Sequence, residues 1–227
     1  REELNVEKTG FLKNLVLLIW KGTQGTITKT EDRLIEHVIT EYYDAYFNGF
    51  DGFTPQQRGD LRKSLIIDDR NSSESRNEGE RERAARIEGI IDEIESRRKE
   101  LKVEELSFNS YYEYSVQRIP DICEENRITG IDLSTYRYMM KDFYRGGNHE
   151  KTLNENMDSS LFDETFVVFE IDSIKDDPLL FPLVTLIIMD VFLQKMRIKK
   201  NRKVLVIEEA WKAIASPLMA EYIKFMY

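Results

Sequence analysis

The stretch "KVLVIEEAWKA", Lys203 to Ala213, decides how the chain is read. Four consecutive aliphatic residues, Val204 to Ile207, run into the paired carboxylates Glu208 and Glu209. A short apolar run of this kind suits a strand covered on both faces in a parallel sheet. Carboxylates at the C-terminal edge of such a strand stand where ligands meet an open α/β sheet. One acid there can hold magnesium, directly or through its water, and a second can orient the water that attacks a terminal phosphate. The plainer alternative is the polar exit of a buried strand, and the run alone does not choose between them.

Working upstream, "TFVVFEID", Thr165 to Asp172, is a second β-rich run with Val167, Val168 and Phe169 adjacent. Between the two lies "LLFPLVTLIIMDVFLQKMRIKK", preceded by Asp176-Asp177-Pro178 as a cap and a helix-starting proline. Pro182 and Asp190 interrupt its apolar stretch, which is too short for a membrane span of about 20 residues, so a buried crossover helix is expected. Its basic end suits a helix C-terminus. Strand, helix and strand in this order predict a right-handed parallel βαβ unit over 165–227.

Residues 1–164 read as helical. Leu12, Leu15, Val16, Ile19 and Trp20 recur at helical spacing and stop at Gly22. Thr28 and Glu31 have capping-box spacing ahead of Ile35, Val38, Ile39, Tyr42, Tyr43, Tyr46 and Phe47. Between Asp68 and Glu82 almost nothing is apolar, which predicts an exposed loop or a mobile helix start. Further helices are expected through Ile87 to Leu101, from a Ser107 cap, and from Asp132 to the Gly146-Gly147 pair. The stripe Leu133, Tyr136, Met140 and Phe143 reads as core.

Composition narrows the function. The chain has 227 residues, 41% of them hydrophobic, enough for an ordinary core. A net charge of −9, with 33 Lys and Arg interleaved among 42 Asp and Glu, argues against a free-standing nucleic-acid module. Cys123 is the single cysteine and His37 and His149 the two histidines, so neither an internal disulfide nor a zinc set can be assembled. The chain opens on Arg1-Glu2-Glu3 and closes in "LMAEYIKFMY", a helix still in progress, and is expected to be a piece of a longer protein. "KGTQGTITKT", Lys21 to Thr30, lacks the Gly-Lys pair of a phosphate-binding loop and reads as an interhelical turn.

"VLVIEEAW" resembles the hydrophobic-strand, Asp-Glu-Ala-Trp segment of the TraG/TraC-like conjugation ATPases of type IV secretion systems. Upstream, the Arg145-Gly146-Gly147 turn, the Phe-Glu-hydrophobic-Asp strand at Phe169 to Asp172 and the following helix resemble that family in order and spacing. The helical stretch from Gly10 to Gly49 is similar to the family's all-α insertion. The resemblance implies a mainly α chain with a smaller α/β part: a helical subdomain, 1–164, and an incomplete RecA-like parallel βαβ core with the Walker B strand, 165–227. Carried over by position, Glu208 is the magnesium-site acid for Mg2+ and ATP and Glu209 the catalytic, water-activating carboxylate, with Ala210 and Trp211 completing the motif. Glu208 replaces the family's usual Asp, and its extra methylene favours a water-bridged contact.

Arg145 is either an arginine finger reaching a neighbouring subunit's nucleotide or a cation near a helix's last carbonyls. Glu170 and Asp172 read as solvation without a catalytic role, and Cys123 as a packed small residue. The implied protein is a P-loop ATPase that couples hydrolysis to channel assembly or substrate transfer, with the present chain inactive alone for want of a Walker A loop. The resemblance implies a homo-oligomer, a hexamer, among other conjugation proteins, membrane-associated through them on the cytoplasmic side of the bacterial inner membrane. No direct nucleic-acid site is evident in the chain. A different class of reading makes the helical half a protein-interaction module of the conjugation machinery, with Tyr111, Tyr112 and Tyr114 as a contact face.

Overall fold

A computed structural model describes residues 6–69, 79–155, 159–198, 202–208 and 220. Eight α-helices are described: α1 Val6–Lys21, α2 Lys29–Asn48, α3 Pro55–Asp69, α4 Glu80–Glu100, α5 Phe108–Glu125, α6 Leu133–Lys141, α7 Glu150–Asn154 and α8 Leu180–Ile198. Two 3-10 turns, Ser159–Phe162 and Asp172–Ile174, lie between α7 and α8. The chain divides into two compact units, Arg1–Ile39 with Ser134–Tyr227, and Thr40–Leu133.

The first unit is built on α1 packed against α8. α1 ends where Gly22 takes φ +66° and donates its N–H to the Leu18 carbonyl, the left-handed stop that glycine adopts without a Cβ penalty. α2 begins with the expected capping box: Glu31 accepts from the Thr28 N–H at 2.9 Å, and its own N–H donates to Thr28 Oγ1 at 3.2 Å. α8 begins on Asp177, whose carboxylate accepts the Leu179 and Leu180 N–H groups at 2.8 and 2.7 Å. Pro182 falls in the first turn of α8, where its missing N–H breaks no intrahelical bond. Trp20 meets Tyr136 edge to face at 5.3 Å; of the predicted stripe, Tyr136, Met140 and Phe143 are buried and Leu133 is half-buried.

The second unit packs α3 on α4. Ile87, Ile91 and Ile94 line the buried side of α4. Ser107 caps α5, accepting the Ser110 N–H at 3.1 Å, and the Tyr42 hydroxyl joins the same cap by donating to the Ser107 carbonyl at 3.1 Å. Tyr111 and Tyr114 are buried against the Tyr42 ring, which removes two of the three tyrosines from any contact face.

The expected α/β part is not formed. Among the described residues there is no β-strand, so the parallel βαβ, RecA-like core anticipated over 165–227 is corrected to an all-helical architecture. The two apolar runs carry no regular secondary structure and no ladder. Phe166 and Val168 are 83% and 71% exposed, and Val204 and Val206 are each 77% exposed. β-branched residues bias the backbone toward extension, but a strand is completed by a neighbour's N–H and C=O groups, which local pattern does not supply. The helix between these runs is present as α8. α6 ends earlier than anticipated, at Lys141, and the residues up to His149 form a chain of turns.

Candidate functional site

Glu208 follows the run from Arg202 to Ile207 and is exposed. Exposure alternates along the run, with Val204, Val206 and Glu208 exposed and Leu205 and Ile207 half-buried. Its carboxylate is thus presented to solvent. Glu209, Ala210 and Trp211 lie outside the described residues, as does the anticipated last helix from about Pro217, except Ala220.

Arg145 sits in a closely built turn between α6 and α7. Gly146 takes φ +80°, and a Cβ at Gly147 would collide with the Asp142 carbonyl oxygen, so both glycines are required by the backbone path. The Gly147 N–H donates to the Tyr144 carbonyl at 2.7 Å, and the His149 N–H to the Asp142 carbonyl at 2.9 Å. Asn148 Nδ2 donates to the Asp142 carboxylate at 2.9 Å, and the Gly146 N–H to Glu150 Oε2 at 2.9 Å. Asn154 Nδ2 holds the Phe143 carbonyl at 2.9 Å, and His149 lies over the buried Phe143 ring at 5.3 Å. The Arg145 side chain is exposed, with its guanidinium carbon 5.9 Å from the Tyr144 ring centre.

Sequence reasoning treated Gly146-Gly147 as a helix stop and missed Asp142, Asn148, His149 and Glu150 as the groups that hold the turn. The signal available was composition: Asp, Asn, His and Glu within four residues of a Gly-Gly pair, each able to bond local backbone.

The remaining polar candidates are engaged locally. Glu170 Oε1 accepts the Asp172 N–H at 2.9 Å, and Asp172 pairs with Lys175 at 2.7 Å. Residues Lys21 to Thr30 link α1 to α2, and Lys21 pairs with Glu31 and lies over the Trp20 ring at 4.3 Å. The Glu31 carboxyl feels burial pushing it up, but bonds from Lys21 and Thr28 outweigh that and hold it below the usual range. Burial also pushes up the Cys123 thiol, which leaves it a weak nucleophile.

Among the described residues no group of three or more His, Cys, Asp or Glu side chains is placed to hold a metal ion. That does not count against magnesium, which keeps several waters and takes one or two carboxylates besides substrate phosphates. A solvent-facing carboxylate such as Glu208 has the donor chemistry for one such ligand.

A family model described as the TraG P-loop domain matches residues 57–227. No curated protein and no solved structure matches the chain.

Proposed function

The chain belongs to the TraG P-loop domain family of conjugative-transfer ATPases, and from that premise we propose that the intact protein couples ATP hydrolysis to assembly of a type IV secretion channel or to movement of substrate through it. The family match carries this reading, because residues 57–227 take in both the Arg145 turn and the Glu208-Glu209 pair.

Glu208 would hold Mg2+ through a bridging water, its extra methylene standing where the family has Asp. Magnesium, when bound, supplies charge neutralisation on the phosphate oxygens. Glu209 would accept a proton from the attacking water and orient it toward the terminal phosphate. Trp211 completes the segment beside it. Arg145 would reach the nucleotide of a neighbouring copy, which requires a ring, and the reading assigns a hexamer. That ring would stand at the cytoplasmic face of the bacterial inner membrane, held there by other conjugation proteins.

Purified intact protein should hydrolyse ATP only with a divalent cation present. Residues 1–227 alone should not, because their sequence contains no Gly-x-x-x-x-Gly-Lys-Ser/Thr loop. Turnover by residues 1–227 alone would overturn the assignment of roles.

A further inference from the structure

We propose that Glu150 is a positioning residue: by accepting the Gly146 N–H, its carboxylate fixes the turn that presents Arg145 to the terminal phosphate of a nucleoside triphosphate on a neighbouring copy. This rests on the reading of Arg145 given above.

The Gly146 N–H belongs to the peptide plane that joins Arg145 to Gly146, so the 2.9 Å bond to Glu150 Oε2 sets the orientation of that plane. Two glycines follow Arg145, and glycine populates positive and negative φ about equally. Without that bond the plane would be free to rotate, changing ψ of Arg145 and φ of Gly146 and loosening the turn on which the Arg145 side chain stands. An ionised acceptor gives a bond roughly twice as strong as a neutral one, which suits it to hold a single backbone state.

The 2.7 Å bond from the Gly147 N–H to the Tyr144 carbonyl closes the turn that contains this plane but is compatible with either orientation of it, and the other contacts act on either side. The Asp142 carbonyl and carboxylate tie down His149 and Asn148, and Asn154 ties down Phe143, whose side chain is fully buried. The turn is therefore anchored at both ends, and Glu150 reaches back over four residues to its centre. An arginine that acts on a transferring phosphoryl group must be placed to a fraction of an ångström, because misplacement by about 1 Å costs on the order of 100-fold in rate. A helix-start acid that only favoured the α7 N-terminus would leave that rate unchanged.

The test uses the intact ATPase carrying Arg145→Ala, Glu150→Ala, Glu150→Asp or Glu150→Gln. It reads kcat and KM for ATP, with amide hydrogen exchange across residues 142–150 as a readout independent of activity. Arg145→Ala should lower kcat on the order of 10³-fold. Glu150→Ala should lower it by about 10- to 100-fold, with KM within about twofold and faster exchange at Gly146. Glu150→Asp keeps the charge but is a methylene short, and should behave like the Ala variant. Glu150→Gln keeps an acceptor oxygen at the same reach but makes a weaker, neutral bond, and should restore rate and protection in part, to values between Ala and the unsubstituted protein. Normal kcat in Glu150→Ala beside a defective Arg145→Ala would overturn the proposal alone. So would a Gln variant as slow as Ala. Full turnover by Arg145→Ala would remove the reading of Arg145 and this proposal with it.

Discussion

Arg118 and Glu41, 77 positions apart in sequence, form a two-pronged ion pair with Arg118 Nε 2.7 Å from Glu41 Oε2 and the Arg118 side chain 1% exposed. A second fork joins Arg118 to Glu125 at 2.6 and 3.1 Å, and Arg98 reaches Glu41 at 2.9 Å. Burial alone would lower the Arg118 affinity for its proton, but the two carboxylates reverse this and the group stays charged. Removing the guanidinium strips two largely buried carboxylates, Glu41 and Glu125, of their forked partner. Arg118→Ala should therefore destabilise the protein by about 3–5 kcal/mol, read as a lower urea midpoint. Arg118→Lys should recover little of it, because an ammonium cannot fork to two carboxylates at once.

The Glu31 carboxyl makes α2 acid-sensitive. Its folded value is lowered, so its contribution is present above the unfolded glutamate value of about 4.3 and is lost as pH falls through the folded value. Acid unfolding followed by circular dichroism should show this loss beginning below about pH 4.3. Glu31→Gln should cost about 1 kcal/mol at neutral pH and flatten the acid dependence.

Asp177 caps α8 by accepting the Leu179 and Leu180 N–H groups at one carboxylate oxygen. Asp177→Ala should cost about 1 kcal/mol, and Asp177→Asn, which keeps an acceptor oxygen, a few tenths. Thermal unfolding of the two variants separates the bond from the charge.

Gly146→Ala places a Cβ on a residue at φ +80°, which costs about 1–2 kcal/mol for an L side chain. No neighbouring atom blocks a Cβ there, so the variant should fold with a strained turn. Gly147→Ala should rearrange the turn itself, since the Asp142 carbonyl occupies the space. Exchange rates across residues 142–150 distinguish the two.

Helices with an apolar period and a recognisable cap were legible: α1 through Gly22, α2 through Thr28 and Glu31, α5 through Ser107, and α8 through Asp177. α3 also carries a start signal that sequence reasoning missed: the Thr54 N–H donates to Gln57 Oε1 at 2.9 Å and the Gln57 N–H to Thr54 Oγ1 at 3.3 Å, with Pro55 opening the helix. It lies against α4 through Arg58, which pairs with Glu88, Asp92 and Glu95, and through Arg62 with Glu88. Those partners are 26 to 37 positions away, beyond any local reading. The runs at Phe166 and Val204 read as buried strands but are largely exposed and form no sheet among the described residues, because pairing depends on a partner strand rather than on their own residues. At the candidate site the sequence marks Glu208 by its place after the apolar run, and the structure adds only that it is exposed. The hold on Arg145 was not legible, because a Gly-Gly pair reads equally as a helix stop or as the centre of a turn.

The central claim is that Glu209 activates the water in an ATPase of this family. The most direct measurement is nucleotide binding and turnover by the intact protein carrying Glu209→Gln, which keeps size and polarity but cannot take the proton. Unchanged ATP affinity with kcat lowered by about 100-fold or more is the expected result. Hydrolysis at the unsubstituted rate would contradict it.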